Sequence, residues 1–193
     1  FNAFKSGEKF IEYRAYGPGS NKSIEVLLEG KPDMNKIIVL VDSREKIKLE
    51  FPKAIHVFTE EQRNPKILPV LLKSKQLNRG DYTLEGFEDV VGIERKGAVG
   101  EIVTNLMTTD RLRAMQAFRR FAQIKHPILM LDFNILQFFP PLNNPANILM
   151  YEAYSRLCHL ADELKIELWQ SGNHNASKNR ITLGYAVLYR MLS

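Results

Sequence analysis

"RGDYTLEGFEDVVGIERK", residues 79–96, holds two short apolar runs, a turn between them, and a cluster of charges at its far end. Val90, Val91 and Ile93 are residues that a sheet interior favours. "GFED" at 86–89 supplies a short turn, so "GDYTLE" and "DVVGIERK" are expected to be paired strands. Glu94, Arg95 and Lys96 then arrive where the second strand should end. Strand alternation puts Glu94 and Lys96 on one face and Arg95 on the other. Asp81 begins or precedes the neighbouring strand and so comes near Glu94. Two carboxylates and an ammonium group meet at the end of a sheet. Adjacent carboxylates repel, and one tends to keep a proton unless a cation lies between them.

Outward from this stretch, strands and helices alternate. "KIIVLVD" (36–42) is a nearly continuous apolar run, the pattern of a central strand covered on both faces. "KILPVLLKSKQL" (66–77) suits an extended segment, with a helix as the alternative. "GEIVTNLM" (100–107) and "DRLRAMQAFRRFAQI" (110–124) have helical spacing. The second is expected to be capped by Thr108 or Thr109, with Asp110 in its first turn and Leu112, Met115, Phe118 and Ala122 facing inward. "PILMLDF" (127–133) is a further buried strand. In 144–165, Asn144 is the expected cap and Pro145 the first helical residue, with Leu149, Ala153, Leu157, Leu160 and Leu164 facing a core. "IELWQS" is a last strand. "RITLGYAVLYRML" (180–192) is a last helix, apolar on most sides, which either completes the core or forms a partner surface. The order predicts an α/β fold with a mixed sheet flanked by helices. Residues 1–35 are expected to form an amino-terminal arm or small hairpin, and 36–193 the main domain. "GPGSNKS" in the arm lacks the Gly directly before Lys22 that a phosphate-binding loop needs.

With 193 residues, 45% of them hydrophobic and 10% aromatic, the chain can bury a sizeable core. A formal charge of +5 fits nucleic acid or another acidic partner. Cys158 is the only cysteine, which excludes an internal disulfide and a thiolate zinc site. His56, His126, His159 and His174 are scattered without metal-ligand spacing. No apolar run has the length of a membrane span, and an intracellular location is expected, in a bacterium or phage-infected cell. Oxygen ligands alone suit Mg²⁺ or Mn²⁺. Such an ion beside a lysine makes a nucleophile of water and stabilises charge on a phosphate. The same three residues have a plainer reading, because strand-end Glu–Lys pairs are usually solvated and Asp after Gly is usually a turn former.

"LVDSRE" (40–45), the opening stretch, and "RLRAMQAFRRFAQIKHPILMLDF" (111–133), in this order and spacing, resemble the nuclease domain of the XPF family of structure-specific endonucleases, within the PD-(D/E)XK superfamily. The likeness runs from about residue 36 to 190, and is greatest to compact stand-alone phage or bacterial members. It implies a three-layer, restriction-endonuclease-like fold and Mg²⁺- or Mn²⁺-dependent hydrolysis of DNA. It also implies roles. Asp81, Glu94 and the main-chain carbonyl of Arg95 would bind metal. Lys96 would orient or deprotonate the attacking water. Asp42 would be an additional acid near the metal, with Arg44 and Glu45 lining the site. Arg111 would approach a DNA phosphate, while Tyr82 and the Arg95 side chain match the motif without an assigned step.

Departures from the family pattern bear on activity. Gly100 stands where the family has an aspartate, and Glu101 follows one position on. One helical residue turns a side chain by about 100°. Either Glu101 reaches back to the metal or that ligand is absent. Arg79, Arg113, Arg119, Arg120, Lys178 and Arg180 are further candidates for phosphate contact, and nothing points to base-specific reading. Sequence-independent, branched DNA is therefore the expected partner, with dimerisation through the carboxy-terminal helices as a second interaction. A DNA-binding or scaffolding subunit with a decayed site is the alternative function.

Overall fold

Nine strands join into one mixed sheet whose order follows the chain only in part. The computed structural model describes residues 10–17, 20–27, 35–58, 66–144, 147–172 and 180–192. The strands are β1 (Phe10–Gly17), β2 (Ser20–Leu27), β3 (Ile37–Asp42), β4 (Ala54–Phe58), β5 (Lys66–Lys75), β6 (Tyr82–Leu84), β7 (Val91–Lys96), β8 (His126–Leu131) and β9 (Glu167–Gln170). The helices are α1 (Val99–Met107), α2 (Arg111–Phe121), α3 (Ile148–Leu164) and α4 (Arg180–Leu192), with a short 3₁₀ turn at Ile135–Phe138. Across the sheet the order is β2-β1-β4-β5-β3-β6-β7-β8-β9. β3 pairs parallel with β5 and antiparallel with β6, while β7, β8 and β9 run parallel to one another.

The alternation of β7 decides which layer each side chain enters. Val91 and Ile93 join Tyr82, Leu84, Ile128 and Met130 in a core closed by Leu183, Val187 and Leu188 of α4. On the opposite face Leu129 and Leu131 pack with Ile102, Leu106, Phe118, Phe121, Leu157 and Leu160, from α1, α2 and α3. The result is three layers with a central mixed sheet, the α/β arrangement expected from the sequence. α4 is buried along Leu183, Gly184, Val187, Leu188 and Leu192, so it completes the core. Its fit is close: a Cβ added at Gly184 would lie 1.8 Å from the Glu50 carbonyl oxygen.

Several local expectations change. Within the segment 66–77, Lys66–Lys75 is a strand, and the helical alternative is not adopted. Val90 lies in the turn and is exposed, because the strand begins one residue later. Asp110, rather than either threonine, occupies the N-cap position of α2, and its side chain makes no capping bond. The hydroxyl of Thr108 instead accepts the Asp110 N–H at 3.3 Å. Leu112 is 78% exposed, since it lies in the first turn of α2, ahead of Ala114, Met115, Phe118 and Phe121, which rest on the core. α3 begins at Ile148 with Asn147 before it, so Leu149 sits in an exposed first turn. Asn144 accepts the Asn147 N–H through its main-chain carbonyl, and Pro145 lies outside the described residues.

Candidate active site

The ends of β3, β6 and β7 open into a cleft of about 360 Å³ lined on its other side by α2 from Arg113 to Phe121. β6 is short, and Gly80 and Asp81 precede it alongside Ile93 and Glu94. The Asp81 N–H donates to the Ile93 carbonyl at 2.7 Å, and the Asp42 N–H donates to the Asp81 carbonyl at 2.8 Å. Asp81 is thereby clamped between the two neighbouring strands. Glycine is required just before it: Gly80 has φ +70°, and a Cβ there would meet the Ile93 carbonyl oxygen at 3.0 Å.

Asp81, Glu94 and Lys96 all line this cleft. Lys96 Nζ donates to Glu94 Oε1 at 2.7 Å, as neighbours on one strand face can. The Arg95 N–H donates to Asp81 Oδ2 at 2.7 Å. N–H and C=O of one strand residue point to the same side, so the Arg95 carbonyl also faces the edge where Asp81 lies. Burial, and then the charge of Glu94, push the Asp81 carboxyl up to about 8, against the Arg95 N–H bond. Burial opposes the charge on Lys96, but Glu94, its hydrogen bond and Asp81 outweigh it and hold the ammonium form above the ordinary lysine range.

The remaining candidates divide sharply. Asp42 and Arg44 line the cleft, but the Asp42 carboxylate is already saturated. It accepts the Arg44 N–H (2.7 Å), Nε (2.9 Å) and Nη2 (2.7 Å), and the Leu77 N–H (3.1 Å). The Arg44 guanidinium, with the main-chain bonds, holds Asp42 below the usual carboxylate range. As a metal ligand it would have to displace Arg44, so the structure makes it an anchor for that arginine. Glu45 lines the cleft from its rear, tied at 3.1 Å to Arg95 Nη1. The Arg95 side chain lies on the face opposite Glu94 and Lys96, buried, with Nε and Nη2 on Asp132 Oδ2 at 3.1 and 2.6 Å. Its carbonyl remains the part of Arg95 that addresses the cleft.

Glu101 is not among the lining residues. Its Oε1 accepts the Gly97 N–H at 3.1 Å, closing the start of α1 in the manner of a capping-box acid. The side chain turns back to the start of its own helix, close enough to Lys96 to help hold its ammonium charge. Arg111 also stays outside, whereas Arg113 and Arg120 of α2 line the far wall with Asn105 of α1 and Asp110. Arg79 lines the cleft and pairs with Asp89. Arg180 opens α4, on the other face of the sheet, and Lys178 lies outside the described residues.

Asp132 and Asn105 were not singled out as site residues from the sequence. For Asp132 a signal existed, since "PILMLD" closes an apolar run with an acid as "KIIVLVD" does at Asp42. Asn105 stands on a helix whose tilt over the sheet no local pattern specifies.

The donors present fit a hard divalent ion. Asp81 and Glu94 are forced together in a partly dry cleft, which is costly for two ionised carboxylates and relieved by a cation. Among the described residues no group of three acidic, histidine or cysteine side chains converges on one point. Magnesium is compatible with that number, because it keeps several waters and takes one or two carboxylates.

No protein-family model and no curated protein matches the chain. Among solved structures it is similar to XPF from Aeropyrum pernix, with a TM-score of 0.49 and 17% identity over 80% of this chain and 59% of that one. It is also similar to XPF from Aeropyrum pernix in complex with DNA, with a TM-score of 0.47 and 17% identity over 80% of this chain and 66% of that one. The chain thus spans less than two thirds of the first of these structures.

Proposed function

We propose that the chain is a divalent-metal-dependent DNA endonuclease, hydrolysing phosphodiester bonds in branched, forked or flapped duplexes during repair, recombination or replication. One observation carries the reading: Asp81, Glu94 and Lys96 share a single cleft whose opposite wall bears Arg113 and Arg120. An acid pair that holds a cation, facing basic side chains that suit phosphates, is the chemistry of phosphodiester hydrolysis.

Asp81, Glu94 and the Arg95 carbonyl would hold Mg²⁺ or Mn²⁺. When bound, such an ion lowers the pKa of water and offsets charge on the phosphate. Lys96, kept as an ammonium by Glu94 and Asp81, orients water and neutralises the developing phosphate charge rather than taking a proton. Arg44, fixed by Asp42 and two-thirds exposed, presents the rest of its guanidinium at the cleft mouth. Arg113 and Arg120 grip the backbone, which suits recognition by shape rather than by base sequence.

A second reading, a DNA-binding subunit without catalysis, is favoured by one feature. Gly100 and the inward-turned Glu101 leave the cleft without a third acid from α1. Flap, fork, Holliday-junction and linear duplexes, incubated with Mg²⁺, Mn²⁺ or EDTA, separate the two. Cutting that needs metal, prefers a branch, and falls roughly a hundredfold or more in Asp81→Asn and Lys96→Ala supports the enzyme. Binding without cutting in either metal overturns it in favour of the subunit.

A further inference from the structure

The charged group least explained by water activation is also the most deeply buried. Asp132 is wholly buried at the exit of β8, and the Arg95 side chain is only 6% exposed. Taking a guanidinium and a carboxylate out of water is unfavourable unless their bonds are satisfied. Here they are: Arg95 reaches Asp132 through Nε and Nη2, and Glu45 Oε1 and the Ile47 carbonyl through Nη1, at 3.1 and 2.8 Å.

Those bonds tie three chain segments together behind the cleft. They are the loop leaving β3, the end of β7 and the exit of β8. Arg95 touches the cleft at two points through this network. Its main-chain N–H holds Asp81 Oδ2, and its guanidinium holds Glu45, which is part of the cleft wall. Side-chain and main-chain contacts of one residue therefore fix the two peptides that flank the Arg95 Cα, one presenting the N–H to Asp81 and the other the Arg95 carbonyl.

We infer that Arg95 and Asp132 are positioning residues, a buried brace that sets the orientation of the two peptides flanking the Arg95 Cα and of Glu45 so that Asp81 and Glu94 converge on one metal ion. The inference rests on the nuclease reading for the ion and goes beyond it in assigning the rear of the site. The brace touches neither DNA nor water in the cleft. Its loss acts through ligand geometry, as loss of an outer partner does in metal sites generally.

Arg95→Lys keeps the charge but cannot fork across Asp132, Glu45 and the Ile47 carbonyl. Arg95→Met/Asp132→Leu removes the two most deeply buried charges together, leaving only the partly exposed Glu45 without its guanidinium partner. Val187→Ala, in the α4 core, is the control for lost stability alone. Each is measured for Mn²⁺ affinity by calorimetry, for melting temperature, and for kcat and KM on a flap substrate. The expected result is Mn²⁺ binding weakened about tenfold in Arg95→Lys and in the double variant. kcat falls, KM for DNA stays within about twofold, and Val187→Ala keeps the wild-type Mn²⁺ affinity at a similar loss in melting temperature. Wild-type Mn²⁺ affinity in a folded Arg95→Lys overturns the brace and leaves the nuclease reading standing. A wild-type protein that binds no Mn²⁺ overturns the metal-site reading, and the brace with it.

Discussion

Asp81 is where the chemistry of the cleft is most exposed to measurement. Its carboxyl is pushed from 3.8 to about 8, by burial first and by Glu94 second. Between those values the folded protein keeps a proton that the unfolded chain has released. Stability therefore falls as pH rises through this window and levels off above about 8. In EDTA, Asp81→Asn should flatten the fall and raise Tm at pH 8 by about 3 °C, roughly what 1 kcal/mol produces in a domain of this size. Mg²⁺ should lift wild-type Tm and leave the variant unmoved, while parallel pH curves for the two proteins would refute the argument. Glu101 has a different prospect. Glu101→Ala loses the bond to the Gly97 N–H and should cost about 1 kcal/mol by chemical denaturation, while cleavage stays within about twofold. A cleavage loss like that of Asp81→Asn would return Glu101 to the metal. Asp81, Glu94 and Lys96 were legible from the sequence because strand alternation and hairpin pairing are local rules. The Asp132 and Glu45 partners of Arg95 were not, because they lie 37 and 50 positions away along the chain.

α2 shows how far element-level patterns reach. Its spacing identified Phe118 as inward, and Phe118 is buried. The same spacing placed Leu112 inward, where the structure has it standing free above the cleft rim. Periodicity says which residues share a face but not where the layer beneath that face ends. Here the layer ends before the first turn of α2, and the exposed Ala117 faces the cleft while Ala114 and Met115 still touch the core. Leu149 at the start of α3 is exposed for a related reason, since its first turn projects beyond the buried Ala153 and Leu157. Leu112→Ser should therefore change stability by less than about 0.5 kcal/mol, and Phe118→Ala should cost about 3–5 kcal/mol. Urea unfolding of the two variants measures both values, and a comparable loss in each would mean that α2 rests on the sheet along its whole length. β3 and β8 were legible as strands because each is a nearly unbroken apolar run with an aspartate at or just past its end, and β7 because Val91 and Ile93 alternate ahead of its charged end.

At the scale of the whole molecule, strand order is the part that no local pattern encodes: β5 lies between β4 and β3, and β6 joins β3 to β7. That order puts the ends of β3, β6 and β7 side by side and gives the molecule two unlike faces. α4 seals one face, and α1 and α2 frame the cleft on the other. Charge follows the same division. Arg113 and Arg120 line the cleft, Arg44 and Arg79 stand near them, and Arg180 belongs to the sealed face. The net charge of +5 is shared by both faces, so net charge alone does not locate a DNA path. The salt dependence of binding does. Each phosphate neutralised on duplex DNA adds about −0.9 to the slope of log K against log salt. Arg113→Ala/Arg120→Ala, measured on a flap substrate in Ca²⁺ to prevent cutting, should reduce the magnitude of that slope by about 2. Arg180→Ala should leave the slope unchanged. If Arg180→Ala lowers it while the double variant does not, DNA lies along the α4 face, and the cleft cannot be where the phosphodiester backbone meets Asp81 and Glu94.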